Sequence, residues 1–536
     1  MKRQYVIAGL ICMLALAAYL PAMTAGYVWD DDTFLYENPW IHAGDGLARF
    51  WFTTEPYDYY PLTSSMLWVE WRLWGGQPWG FHLVNILLHA GSAVLVWKVL
   101  ERLKVPGAAL AGALFAVHPV TVQSVAWITE RKNTLPMVLY LGSLLAYLQW
   151  EDGRPKKLYL WSVGLFLLAM LAKTAPVAMP LVLLVLAWKR RGRIGLADLR
   201  RVLPFLAISI GLGLLTVWYQ SHRAIANEVV RSDSLLSRAV IASWAVWFYL
   251  YKAVWPVGLA FTYPRWRADL AAPASYLPLA GMVVLTAGLW LLRRRLGRGP
   301  LAAWLYFLLM LGPVLGFIEI YYMRYTFVAD HWQYFALPAV LAVLAAAGAW
   351  AVGRLAGGNV KLAWAGSALL LLPLAVLSFR QCGVYHDNES LWQDTVAKNP
   401  SCWLGWDQLG VNQARAGDIL KAKALFEKSL EVFPDQGEGH RLLAKALANQ
   451  PMPDYRRAME HYQRSLELRP FDPITQTEYC QLLLACPVQS LRNPAKALEL
   501  ARQACKDHPN NPAAKSLLQQ AEATSRRSRP SYLPQE

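Results

Sequence analysis

MKRQYVIAGLICMLALAAYLPAMTAGYVWDDDTFLYENP, residues 1–39, sets the class of the whole chain. Lys2 and Arg3 precede an apolar run of about span length that reaches Pro21 without an A-x-A cleavage site. The run therefore reads as a retained first helix with its N-terminus in the cytoplasm. Beyond it stand three consecutive carboxylates, Asp30, Asp31 and Asp32. Carboxylates beside a bilayer are costly to desolvate unless they act there, which makes one of them a candidate catalytic base. The plain alternative is a solvated charge run, or a cap on the following helix.

The rest of the composition agrees with a membrane protein. Of 536 residues, 56% are hydrophobic and 25 are Trp. Apolar runs stop near residue 380, and from Tyr385 the chain is polar and helical in pattern. The formal charge of +16 does not point to nucleic acid, because most Lys and Arg sit in short loops between apolar segments. The six Cys show no zinc spacing, and sequence leaves any disulfide pairing open.

The loop 24–80 carries Asp30, Asp31, Asp32, Glu37, Asp45, Glu55, Asp58 and Glu70 against Arg49 and Arg72. It is rich in Trp and Tyr, so it reads as an external platform lying on the membrane. Further apolar segments fall at about 81–100, 107–126, 134–150, 158–172, 174–188, 203–219, 276–292, 300–318, 333–352 and 362–379. The basic clusters ERLK (101–104), GRPKK (153–157), KRRGR (189–193), RRRLGR (293–298) and GRLAGGNVK (353–361) occupy every second connection. The segment 239–261, broken by Lys252 and Pro256, lies between two connections on the same side. By parity it is external or re-entrant, which leaves about eleven crossings and a C-terminal part outside.

In that part Pro400, Pro434, Pro470 and Pro509 stand 34, 36 and 39 residues apart, close to the tetratricopeptide period. The expected fold class is all-α: a polytopic domain over 1–384, then a tetratricopeptide solenoid over 385–522. Its units fall at about 402–434, 435–470 and 471–509 with a capping helix, and residues 523–536 are expected to be a disordered tail. Such arrays hold peptides in a groove, and serve equally as spacers or dimerisation surfaces.

Seven stretches occur here in a characteristic order: WDDDTFLYENP, YYPLTSSMLW (59–68), FHLVNILLHA (81–90), FAVHPVTVQSVAWITERKN (115–133), LAKTAPVAMPLVLLVL (171–186), YLYKAVWPVGLAFTYP (249–264) and NESLWQDTVAKNPSCWLGWDQLG (388–410). Together with the repeats they make the chain resemble the TMTC O-mannosyltransferases and their bacterial relatives, within the wider GT-C glycosyltransferases. The resemblance implies an eleven-helix GT-C core that moves a sugar from a polyprenyl-phosphate carrier to an acceptor hydroxyl on the outer face. The family's acidic pair falls on Asp30 and Asp31, with Asp32 in a lesser role. Relatives carry Asp at the position of Asn133 and Arg near His331, and this chain departs from them there.

The chemistry gives every candidate a task. A Ser or Thr hydroxyl is a poor nucleophile, so a carboxylate takes its proton as it attacks the anomeric carbon. The departing lipid phosphate needs cations, for which Arg131, Lys132, Lys173, Arg324 and His331 are available. Tyr59, Tyr60, His118 and Glu130 are the candidate substrate contacts, while Tyr59 and Tyr60 read equally well as interfacial anchors and His118 as a helix-packing group. No metal or other cofactor is expected; the donor is a lipid-linked sugar. The expected partners are membrane lipid, that donor and a protein or peptide acceptor in the repeat groove. A bacterial inner membrane, with the repeats periplasmic, suits the composition, although an endoplasmic-reticulum protein would share the topology. The rival reading is a non-catalytic membrane-anchored scaffold; a transporter fits less well because no polar residues repeat across both halves.

Overall fold

A computed structural model describes residues 2–225, 229–355, 360–507 and 512–527. Its regular elements, among the described residues, are all helical. The chain divides into two compact units, Met1–Leu391 and Trp392–Glu536.

The first unit is the membrane part. Among the described residues five helices are long and apolar enough to cross a bilayer: Pro78–Arg102, Leu196–Ala224, Pro273–Leu292, Leu337–Arg354 and Ala365–Gly383. A sixth forms if the pair Ala108–Ala116 and Pro119–Ala126, bent by 49°, counts as one span. That bend falls in the expected segment 107–126, where Pro119 forces His118 out of the helical region (ψ 126°). Other expected spans are short helices: Lys2–Ala18, Lys157–Ala172 and Met179–Arg191 have 17, 16 and 13 residues. The segment treated as external or re-entrant is a helix, Leu235–Val254, that does not meet the same criteria.

The expected platform has its own core. Leu35, Ile41, Phe50, Leu67, Phe81 and Ile128 are buried together. Trp68 and Arg72 of the helix Pro61–Trp74 donate to the carbonyls of Ala43 and Ile41, holding the short helices Pro39–His42 and Gly46–Phe52 in place. Several tryptophans of this loop are therefore structural, with one face in the platform core.

The second unit is a helical solenoid. Trp403–Arg415 pairs with Ile419–Val432, Gly437–Asn449 with Tyr455–Leu468, and Pro473–Ala485 with Pro494–Asp507, followed by Pro512–Arg527. Asp418, Asp454 and Asp472 each cap a helix by accepting from the backbone N–H three residues on, at 2.9–3.1 Å. Gly410 is obligatory for close approach, since a Cβ there would sit 2.4 Å from the Phe426 ring. The last helix carries order to Arg527, into the tail expected to be disordered; residues 528–536 lie outside the described residues. All six cysteines are free thiols.

Candidate active site

The acidic run is positioned by Trp29. Its backbone is left-handed (φ 46°), an uncommon conformation for a bulky residue that persists only when its surroundings enforce it. Here the enforcement comes from both ends of the residue. Its N–H donates to Asn388 Oδ1 at 2.7 Å, and its ring is caged by Trp127, Phe261, Tyr322 and Tyr325.

This turn sends Asp30 and Asp31 to different environments. Asp31 is fully buried and accepts from the N–H groups of Val28 (3.0 Å) and Thr129 (2.8 Å), tying the acidic loop to the turn 127–131. Burial, with Asp30 adjacent, pushes its pKa up to about 8 against those two donors. Asp30 is partly exposed, accepts from Thr129 Oγ1 at 2.7 Å and lies 3.6 Å from Lys132 Nζ. Burial raises its pKa too, and Lys132 and Thr129 oppose that rise.

Lys132 is the hub of the cluster. Its Nζ is 3.3 Å from Glu130 Oε1 and lies between the rings of Phe34 and Trp127, at 5.1 and 5.2 Å. Glu130 is buried; although burial works against its charge, the ammonium groups of Lys173 and Lys132 hold its pKa below the ordinary carboxylate range. Lys173, at the end of Lys157–Ala172, donates to Asn133 Oδ1 at 2.8 Å and lies 3.9 Å from Glu130 Oε2; burial lowers its own pKa. Asn133 in turn donates to Glu130 and to the His331 carbonyl. Asn133 thus joins Lys173, Glu130 and the His331 backbone through a neutral amide.

The structure also brings in a carboxylate that sequence did not single out. Asp58 accepts from Gln220 Nε2 at 2.5 Å, and burial raises its pKa against the pull of Lys132, Gln220 and Lys173. With Tyr60, Thr129 and Lys132 it lines a narrow cleft of about 30 Å³, room for a single water. Tyr60 lies at the start of Pro61–Trp74, where burial raises its pKa, reinforced by Asp58 and Glu130.

Other candidates stand apart. Arg131 is fully enclosed: its guanidinium donates to Glu70, to Asn85 Oδ1 (2.6 Å) and to the Phe81 carbonyl (2.8 Å). It is a strut of the fold, its guanidinium held by protein groups and separated from the Asp30–Lys132 pair. His118 has Nε2 on the Ala253 carbonyl (3.1 Å) and Nδ1 on the Val120 N–H (3.4 Å), so both nitrogens are spent on backbone and none is left for substrate. Tyr59 packs on Tyr219 and donates to the Trp51 carbonyl at 3.3 Å. His331 is buried beside Trp127, Tyr322 and Trp332, and burial drives its pKa to about 3, so it is neutral and not the cation expected of it. Arg324 lies on the turn Tyr321–Arg324, whose neighbour Tyr325 helps cage Trp29. Among the described residues no group of three or more His, Cys, Asp or Glu is placed to hold a metal ion.

Comparison with known proteins agrees with this architecture. Residues 55–219 match the family model for dolichyl-phosphate-mannose-protein mannosyltransferases. The chain is 36% identical over 170 residues to the protein O-mannosyl-transferase Tmtc2 of Drosophila melanogaster, covering 27% of this chain and 17% of that protein. It is 27% identical over 306 residues to TMTC2 of Mus musculus, covering 48% of this chain and 34% of that protein. The chain is TMTC-like. The matched stretches span about a third or less of these relatives' own lengths, and the stretch matched by the family model contains Asp58, Lys132 and Lys173. Among solved structures, the APC/C hetero-tetramer Cut9-Hcn1 aligns over 91% of this chain and 96% of its own at 13% identity and a TM-score of 0.23, too low to bear on the fold.

Proposed function

We propose that the protein is a glycosyltransferase that moves a monosaccharide from a polyprenyl-phosphate carrier to a protein Ser or Thr hydroxyl on the outer face of the membrane. The observation that carries this reading is the pairing of a partly exposed carboxylate, Asp30, with a lysine 3.6 Å away on a TMTC-like scaffold. In the proposed reaction the acceptor oxygen attacks the anomeric carbon, Asp30 Oδ takes its proton, and the bond to the lipid phosphate breaks with inversion. Lys132 and Lys173 meet the charge that gathers on the leaving phosphate. Asp31 acts by holding Thr129, and through it the orientation of Asp30. Asp58, Glu130 and Tyr60 face the sugar and keep both ammonium groups in register.

The solenoid presents the acceptor or a partner protein. Arg441 spans two of its repeat units, joining Glu438 to Glu478 at 3.0 Å, so the face built by successive first helices is charged and suited to polar peptide. The deciding experiment is glycoproteomic. Deletion removes a set of protein-linked glycans; wild type restores them and Asp30→Asn does not, although it reaches the membrane in equal amount. Restoration by Asp30→Asn makes the protein a scaffold.

A further inference from the structure

A cavity of about 1230 Å³ lies at the opposite end of the membrane unit from Asp30. Leu100 and Leu103 line it; Asn85, which binds Arg131 beneath the candidate site, lies fifteen residues before Leu100 on Pro78–Arg102. At 1.5 Å per residue the two are about 22 Å apart, most of the thickness of a bilayer's hydrocarbon core.

The lining divides sharply by chemistry. Inside are aliphatic surfaces such as Leu144, Ala303, Ala342 and Val343, and at the mouth are Trp188 and Trp290, stacked at 5.9 Å. The lining contains five cations, Lys104, Lys189, Arg293, Arg294 and Arg298, and no carboxylate. Neighbouring cations on this side are neutralised: Arg102 by Asp152 (3.0 Å), Arg190 by Glu151 (3.0 Å) and Arg191 by Asp198 (2.5 Å). Among the described residues none of the five lining cations has such a partner. Lys189 donates to the Leu103 carbonyl and Arg293 stacks over Trp290. Arg298 lies directly on Gly192, where a Cβ would come within 2.3 Å of its guanidinium. Unpaired positive charge around an apolar chamber at membrane depth is complementary to one class of molecule, an anionic lipid with its phosphate at the rim and its chains inside.

We propose that this cavity holds an anionic phospholipid of the leaflet opposite the candidate active site, its phosphodiester at Arg294, Arg298 and Lys104. The site is separate from that of a sugar donor, whose phosphate would lie with Lys132 and Lys173 on the other face.

The test uses the full chain in nanodiscs of dioleoyl phosphatidylglycerol and dioleoyl phosphatidylcholine in equal amounts, released into native mass spectrometry. Wild type is expected to retain phosphatidylglycerol over phosphatidylcholine, and Arg294→Gln/Arg298→Gln to reduce that retention roughly tenfold or more. Ala303→Trp/Ala342→Trp, which fills the chamber and leaves the charges, is expected to abolish it. Equal retention of the two lipids by wild type overturns the proposal even if no variant folds. So does unchanged phosphatidylglycerol on both variants, or a polyprenyl phosphate as the retained species. None of these readouts depends on sugar transfer.

Discussion

Asp30 and Asp31 are neighbours in the chain with different duties, and substitution separates them. Asp30→Asn removes a base and keeps the Thr129 contact within reach of the amide, so transfer is expected to fall by about 10²–10⁴-fold with little change in thermal midpoint. Asp31→Asn leaves one of two buried backbone N–H groups facing an amide donor, a loss of about 1–3 kcal/mol that lowers the midpoint as well as the rate. Thermal unfolding in detergent beside a transfer assay distinguishes the two; equal midpoints would remove the structural role from Asp31. The pH profile gives a second check. Asp30 works ionised and burial raises its pKa, so kcat/KM rises with pH on a limb above the ordinary carboxylate range. Lys132 opposes that rise. Lys132→Met therefore shifts the limb to higher pH in addition to slowing transfer, whereas a phosphate contact uncoupled from Asp30 would slow transfer with the limb unmoved.

The helix Arg131–Glu151 shows how one element serves fold and chemistry at once. Adjacent residues on a helix point about 100° apart, so Arg131 turns inward to Glu70, Asn85 and Phe81 while Lys132 turns toward Asp30. Arg131→Met strands a buried carboxylate and is expected to cost about 3–5 kcal/mol, seen as a large loss of thermal midpoint. Glu70→Met/Arg131→Met should recover only part of this, since Asn85 Oδ1, which keeps Thr134 Oγ1, and the Phe81 carbonyl each lose one donor in both variants. Lys132→Met should lower the midpoint less, since Glu130 keeps Lys173 at 3.9 Å and Asp30 keeps Thr129 Oγ1. This pair also marks what could be read from sequence. TERKN offers two adjacent cations, and nothing local says which faces inward; the answer lies at Glu70, 61 residues away. Asp58 was one of eight acidic residues in its loop until Gln220, 162 residues on, singled it out. The acidic run and the proline spacing of the repeats were legible because each is a local pattern with a local cause. His331 looked cationic because a sequence does not show desolvation.

At the scale of the molecule, the site is assembled from connections at one end of the membrane unit. The acidic loop, the turn 127–131, Lys173, Gln220 and the turn 321–331 all meet there. The last residues of that unit return to the same place: the His386 carbonyl accepts from Gly26 N–H at 2.8 Å and Asn388 accepts from Trp29. The chain thus leaves the membrane unit on the face that carries Asp30. The basic clusters at 101–104, 189–193 and 293–298 meet at the other end, which the positive-inside rule predicts to be cytoplasmic. A topology follows that does not depend on counting crossings. A phosphatase fused after Asn388 is expected to be active, as an enzyme that works only outside the cytoplasm, and a fusion after Arg294 to be silent. An impermeant thiol reagent applied to intact cells should label a Cys placed at Tyr57, an exposed position of the platform, and spare one placed at Arg193. Opposite results at both pairs of positions would put the acidic cluster in the cytoplasm, out of reach of an acceptor on the outer face. Activity at Arg294 with silence at Asn388 would do the same. The proposed reaction would then have to be assigned to the other side of the membrane, because the carboxylate, the two lysines and Asn388 share one face of the membrane unit and must move together.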